Sequence, residues 1–254
     1  MTSSLTTRID AAKKQGRKAI IPFLTAGFPN KKDFFTHLEE LDKNGADIIE
    51  IGVPFSDPAA DGPVVEAASL KALEQGVTLK WIMEELIARK GQYRAELVLM
   101  GYINPFYQYG FEKFAADAAK AGVAGLIVPD LPLDEDAEFK AILKEKNIAL
   151  ISLIGLNTPK ARMEAYAKEA EGYVYVVSYM GTTGAEVAFP PELKKTLGEA
   201  REAFDIPLAL GFGIKEPSQL VPFGDAIDGV VFGSALLNDI EEKGSAIPFM
   251  ERWK

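Results

Sequence analysis

The chain has 254 residues, 48% of them apolar and 26% charged, the composition of a folded globular protein with a substantial core. A formal charge of −9 argues against a broad nucleic-acid or anionic-membrane surface, so any anionic ligand has to be held locally. The absence of cysteine excludes disulfides, a thiolate nucleophile and cysteine-ligated zinc, and with no signal peptide or run of about 18 apolar residues a cytoplasmic protein is expected.

Residues 1–16 read as a short amphipathic helix bearing Arg8, Asp10, Lys13 and Lys14. Eight apolar runs follow, each succeeded by helical periodicity: AIIPFLTAG (19–27), ADIIEIGV (46–53), ELVLMGY (96–102), GLIVPD (125–130), ALISLIG (149–155), YVYVVS (173–178), PLALGFG (207–213) and GVVFGS (229–234). That alternation is the signature of βα units around a parallel sheet. Between the first two runs, Phe34, Phe35, Leu38 and Leu41 form an apolar stripe, with Lys32, Glu39, Glu40 and Lys43 on another face. The helices in KNGAD and KAGVAG stop at glycine. Eight units in about 250 residues match an α/β single-domain (β/α)8 TIM barrel spanning 1–254, with an extra N-terminal helix and further helices within 64–90. A doubly wound open sheet gives much the same alternation.

In a barrel, reacting groups come from the C-terminal ends of strands and the loops after them. Glu50 falls there. Alternation in DIIEIGV sends Ile48, Glu50 and Gly52 to one side and Ile49, Ile51 and Val53 to the other. The bulky second set suits a helix layer, which leaves Glu50 aimed into the barrel mouth. Burial there disfavours the charged form and raises the pKa toward the range useful for proton transfer near neutrality; a strand-end glutamate in a structural ion pair is the competing reading. Asp61 follows in a loop stiffened by Pro54, Pro58 and Pro63, which can fold over the mouth and return a second carboxylate. Asp61 before Gly62 and Asp57 before Pro58 also suit plain Asx-turns.

GFGI (211–214) and FGS (232–234) each end a late run in glycine, and TTG (182–184) follows the sixth run. Glycines let backbone N–H groups approach an anion, Ser234 adds a hydroxyl, and the loops after strands seven and eight of such barrels often form a phosphate site. Ordinary turn glycines are the alternative. Phe23, Tyr102, Tyr173, Tyr175, Phe212 and Phe232 lie in or beside strand runs, where they either wall a flat apolar substrate or pack the core. The single histidine, His37, lies on the first helix after a strand run and is expected at the surface, so a Ser-His-Asp relay or a multi-histidine metal site is not available. No run carries an interior lysine for a Schiff base; Lys18 precedes the first run, at the stability face. Carboxylates remain the candidates.

The stretches IPFLTAGFP (21–29), GADIIEIGVPFSDPAADGP (45–63), MGYINP (100–105), GLIVPDLP (125–132), GFGI and FGSAL closely resemble the tryptophan synthase α-subunit family, over almost the whole chain. The resemblance implies a barrel lyase of tryptophan biosynthesis that cleaves indole-3-glycerol phosphate to indole and glyceraldehyde 3-phosphate, a retro-aldol reaction with no metal or organic cofactor in this chain. It also implies a β subunit in an α2β2 assembly, which carries pyridoxal phosphate and receives the indole, docked on the rim around Asp57, Pro58 and residues 104–107.

Residue by residue, the family's general acid–base glutamate falls on Glu50 and its indole-binding aspartate on Asp61. Its phosphate contacts fall on Gly184, Gly213, Gly233 and Ser234, and its indole pocket on Phe23, Tyr175 and Phe212; Tyr102 is grouped with these substrate-binding aromatics. Thr183 matches the threonine that joins the loop after strand six to the catalytic aspartate's loop. The chain departs from the family in SYMGTTG (178–184), with Tyr179 where arginine is usual and Thr182 where valine is common, which bears on loop closure and on signalling to a β partner. A free-standing indole-glycerol-phosphate lyase and a non-catalytic phosphate-binding regulatory barrel share the same residues. A phosphosugar isomerase barrel would fit the glycine motifs but not the stretch from Glu50 to Pro63.

Overall fold

The computed structural model describes residues 2–178, 189–211 and 213–254. Among these, the strands are β1 (Ala19–Thr25), β2 (Ile48–Gly52), β3 (Glu96–Met100), β4 (Val123–Ile127), β5 (Ala149–Leu150), β6 (Ser152–Ile154), β7 (Val174–Val177), β8 (Leu208–Gly211) and β9 (Gly229–Phe232). The helices are α1 (Ser4–Lys14), α2 (Lys31–Lys43), α3 (Pro63–Glu74), α4 (Leu79–Ala88), α5 (Ile103–Tyr109), α6 (Phe111–Ala121), α7 (Ala137–Glu145), α8 (Lys160–Ala167), α9 (Glu192–Ala203), α10 (Ser234–Lys243) and α11 (Ile247–Met250). Local chemistry sets several of these boundaries. Asn30 accepts hydrogen bonds from the N–H groups of Lys32 and Asp33 to start α2, and Pro63 occupies the first turn of α3, where its missing N–H costs nothing. Gly122 ends α6 at φ +81°, a left-handed conformation that favours glycine.

All strand pairings are parallel, in the order β5-β4-β3-β2-β1-β9-β8-β7-β6. The two edge strands, β5 and β6, are halves of one sequence run interrupted only at Ile151, whose N–H donates to the Leu126 carbonyl at 2.9 Å. The lower half pairs with β4 and the upper half with β7. The sheet therefore closes into a barrel through covalent continuity. The fifth run, read as one strand from its hydrophobicity, becomes two because staggered, tilted neighbours claim its two ends separately.

Side-chain alternation divides the core. Ile49, Ile51 and Val53 pack outward against the helices, while Ile48 joins Ala19, Ile21, Val98, Ala124 and Val231 inside the barrel. The N-terminal helix plugs the barrel: Leu5, Ile9 and Ala12 of α1 are fully buried within the inner cluster, and the Thr6 hydroxyl donates to the Gly172 carbonyl at 2.6 Å. The N-terminal face is locked by ion pairs. Arg17 grips Asp47 through two contacts of 2.6 and 2.8 Å, and the same carboxylate accepts the Ile20 N–H. Asp228 accepts Lys13 at 2.9 Å, the Leu208 N–H at 2.9 Å, and Arg201.

His37 is not at the surface. It is 2% exposed because the connection from α10 to α11 covers that side of α2. Its Nδ1 lies 2.9 Å from Glu40, whose carboxylate also accepts the Ser245 hydroxyl and the Ala246 N–H. Glu40, placed by periodicity on the polar face, thus ties the helix to the C-terminal segment. Among the described residues no helix is long and apolar enough to cross a membrane.

Candidate active site

A cavity opens at the C-terminal end of the strands, lined by Phe23, Glu50, Asp61, Val65, Met100, Tyr175, Gly213, Ile214, Lys215 and the segment from Val231 to Ala235. Eight residues singled out from the sequence meet there: Glu50, Asp61, Phe23, Tyr175, Gly213, Phe232, Gly233 and Ser234. Tyr102 borders an adjoining space that it shares with Phe23 and Asp61. Thr183, Gly184 and Phe212, with Tyr179 and Thr182, lie outside the described residues.

Glu50 stands in register with Phe23 on β1 and Val98 on β3, and it is fully buried. The Tyr173 hydroxyl donates to its Oε1 at 2.6 Å, while Oε2 is buried with no hydrogen-bond partner among the described residues. Burial pushes the Glu50 carboxyl up to about 8, against the smaller downward pull of Tyr173. At neutral pH this side chain is a carboxylic acid with a proton to give.

Asp61 closes the loop before α3 and is partly buried. Its pKa is raised to about 6, first by burial and further by Glu66, with the Tyr102 hydroxyl pulling the other way. It is therefore mostly ionised at pH 7. Tyr102 sits under this loop, stacked on Phe55 at 5.2 Å between ring centroids and accepting the Ala60 N–H at 2.9 Å. Its role is to hold the Asp61 loop.

The aromatic walls depend on glycines opposite them. A Cβ on Gly52 would sit 2.4 Å from the Phe23 ring, and one on Gly211 would sit 2.2 Å from the Tyr175 hydroxyl. Either substitution would force a ring out of the site. At the other side of the cavity, Gly213 adopts φ +73°, and Gly233 precedes α10, whose first backbone N–H groups lack intrahelical acceptors. The Ser234 hydroxyl oxygen is buried there with no hydrogen-bond partner among the described residues. Main-chain donors, a hydroxyl and a helix N-terminus are the kinds of group that can hold an anion.

Tyr173 is the residue whose part sequence reading missed. It was counted among possible walls, but it lies inside the barrel as the partner of Glu50. The signal was present in YVYVVS, where a spacing of two puts Tyr173 and Tyr175 on the same face. Met100 of MGYINP and Ile214 of GFGI also line the cavity, as do Val65 and Lys215, which carry no motif of their own.

Residues 9–251 match the family described as tryptophan synthase alpha chain. The tryptophan synthase alpha chain of Nitratidesulfovibrio vulgaris strain Hildenborough is 60% identical over 251 residues, covering 99% of this chain and 98% of its own length. That of Solidesulfovibrio magneticus is 59% identical over 252 residues, with the same coverage. Among solved structures, Mycobacterium tuberculosis tryptophan synthase superposes with a TM-score of 0.90 at 33% identity, over 99% of this chain and 96% of that one. Tryptophan synthase subunit alpha from Legionella pneumophila gives 0.87 at 31% identity, over 98% and 95%.

Proposed function

The chain belongs to the tryptophan synthase alpha chain family and is a lyase that cleaves indole-3-glycerol phosphate to indole and glyceraldehyde 3-phosphate; from that premise we propose that Glu50 and Asp61 divide the work of cleavage. The observation that carries the proposal is the difference between two carboxyl groups lining one cavity, Glu50 pushed up to about 8 and Asp61 to about 6. Around neutrality one is an acid and the other an anion.

Protonated Glu50 delivers its proton to indole C3. The ring then carries positive charge on its nitrogen, and ionised Asp61 accepts the indole N–H and stabilises that charge. As carboxylate, Glu50 next removes the proton from the side-chain hydroxyl. The carbon–carbon bond breaks, its electron pair returns to the ring, the alkoxide carbon becomes the aldehyde, and Glu50 ends protonated as it began. Positioned proton transfer of this kind contributes about 10²–10⁴-fold, and fixed charge in a water-poor cavity adds to it. The sequence calls for no metal or organic cofactor. Phe23, Tyr175 and Phe212 wall the indole, with Tyr102 bracing the Asp61 loop. By the family resemblance, Gly184, Gly213, Gly233 and Ser234 are assigned to the phosphate and Thr183 to the link with the Asp61 loop.

Residues 1–254 act as one domain in the cytoplasm and pair with a tryptophan synthase β subunit, which carries pyridoxal phosphate and takes up the indole. Supporting the docking rim is the exposure of two of its residues, Tyr107 at 67% and Asp57. A Glu50→Gln variant, assayed for indole release and for substrate binding by calorimetry, is expected to lose cleavage and keep affinity close to wild type. Steady turnover by that variant removes Glu50 from the mechanism. Adding a β subunit with serine should stimulate the wild-type chain and yield tryptophan; no stimulation would instead point to a lyase that works alone.

A further inference from the structure

We propose that a small recess beside the active-site cavity accepts a substituent at C7 of the indole ring, so that the chain also cleaves 7-substituted indole-3-glycerol phosphates, with Ser69 setting the size limit. The inference rests on the reading above, that Asp61 takes the indole N–H while Glu50 works at C3. The chemistry is unchanged: the same retro-aldol step turns the 7-methyl substrate into 7-methylindole and glyceraldehyde 3-phosphate.

Two spaces meet at the mouth of the barrel. The main cavity and the recess share Phe23, Asp61, Val65 and Met100 as lining residues. Beyond these four, among the described residues, Glu50 lines only the main cavity, whereas Gly52, Ser69, Tyr102 and Pro129 line only the recess. Asp61 thus borders both spaces and Glu50 one. On an indole ring C2 and C7 flank the N–H; C2 is bonded to C3, and C7 lies on the other side of the nitrogen. A ring whose N–H meets Asp61 and whose C3 meets Glu50 therefore turns C7, not C2, toward the space that Asp61 borders without Glu50.

The walls decide what fits. Val65 and Ser69 lie one turn apart on α3 and are both buried, Ser69 at 4% exposure. Met100 stands in register with Gly52, the glycine over which the Phe23 ring lies, so a rigid ring and a flexible thioether flank the passage between the spaces. The recess has room for one water-sized group. Met100 is unbranched and adapts its shape, which extends that room to a methyl group but not to a branched or aromatic one. With Val53, Val65 and Met100 around it, a methyl or halogen substituent gains from burial there. A larger side chain at position 69 would fill the recess and leave the lining of the main cavity as it is.

The test compares wild type, Ser69→Val and Ser69→Ala as full chains, checked for folding by circular dichroism. Each is assayed with indole-3-glycerol phosphate and with its 7-methyl and 4-methyl derivatives, two isomers of equal size whose methyl groups lie beside N–H and beside C3. The ratio of kcat/KM, methylated to parent, is taken within one preparation, so a partly inactive variant does not disturb it. Wild type is expected to cleave the 7-methyl substrate within about tenfold of the parent. Ser69→Val should lower the 7-methyl ratio about tenfold further, the lower end of what one methylene commands, and leave the 4-methyl ratio unchanged; Ser69→Ala should keep both ratios. A lower wild-type 7-methyl ratio overturns the recess while the cleavage reading stands, as does a Ser69→Val variant whose 7-methyl ratio stays at the wild-type value or falls equally with the 4-methyl one. If Ser69→Val lowers the 4-methyl ratio alone, the ring lies the other way round, and the Asp61 assignment falls with the recess. A wild-type chain that releases no indole from the parent substrate overturns the cleavage reading and this inference together.

Discussion

The two faces of the barrel treat buried carboxylates in opposite ways. At the N-terminal face Asp47 meets Arg17, and Asp228 meets Lys13, Arg201 and the Leu208 N–H. Burial pushes Asp228 up, but those hydrogen bonds and charges outweigh it and leave its pKa below the ordinary value. At the C-terminal face, among the described residues, Glu50 has only a tyrosine hydroxyl, and Asp61 has a tyrosine hydroxyl against the like charge of Glu66. Both are pushed up. The same residue class, placed in the same fold, stabilises it at one end and stores reactivity at the other. What distinguishes the ends, among the described residues, is whether a cation contacts the carboxylate.

Three measurements sharpen or break this contrast. The largest expected effect is on stability. Native Glu50 holds its proton up to about pH 8, whereas the unfolded chain releases it near the model-peptide value of 4.5. Stability conferred by protonated Glu50 is therefore complete below about pH 4.5 and is lost as the pH rises toward 8. Urea unfolding of Glu50→Gln should match wild type at pH 4 and exceed it by roughly 3 kcal/mol at pH 9, below the ceiling of about 5 that the shift itself sets. Parallel pH profiles for the two proteins would mean that Glu50 is not held neutral.

Next is activity. The cleavage reading needs Glu50 protonated and Asp61 ionised, so kcat/KM should form a bell, rising through about pH 6 and falling through about pH 8. Two units above the alkaline limb the loss is about 100-fold. A rate that keeps climbing past pH 9 would contradict the assignment of Glu50 as the acid.

The smallest effect is at the other face. Arg17→Met leaves Asp47 buried without its guanidinium partner, while Asp47 retains the Ile20 N–H and Arg17 itself is 42% exposed. The expected cost is about 2 kcal/mol, less than for a fully enclosed pair. Cleavage per folded molecule should not change. A drop in kcat without loss of stability would show that the faces are coupled rather than separate.

Much of this arrangement is legible in the linear chain. The eight apolar runs, the alternation that turns Glu50 inward, the proline-stiffened loop of Asp61 and the glycines after the last two strands are local patterns, and period-2 or turn chemistry is enough to read them. Three features escape that reading. Ile151 splits one run into two strands because β4 and β7 compete for it from either side. His37 is buried by a segment more than 200 residues away, through Glu40 and Ala246. Tyr173 is committed to Glu50 across 123 positions, although as an aromatic in a strand it reads equally well as packing.

The sequence by itself determined the alternating βα units, the two carboxylates and the glycines after the last two strands, because each is encoded by residue type and spacing within a few turns of chain. Only the tertiary structure decided which carboxyl is neutral and which is charged. Protonation state follows from desolvation and from the identity of neighbours, and both are set by parts of the chain that meet only when the sheet closes.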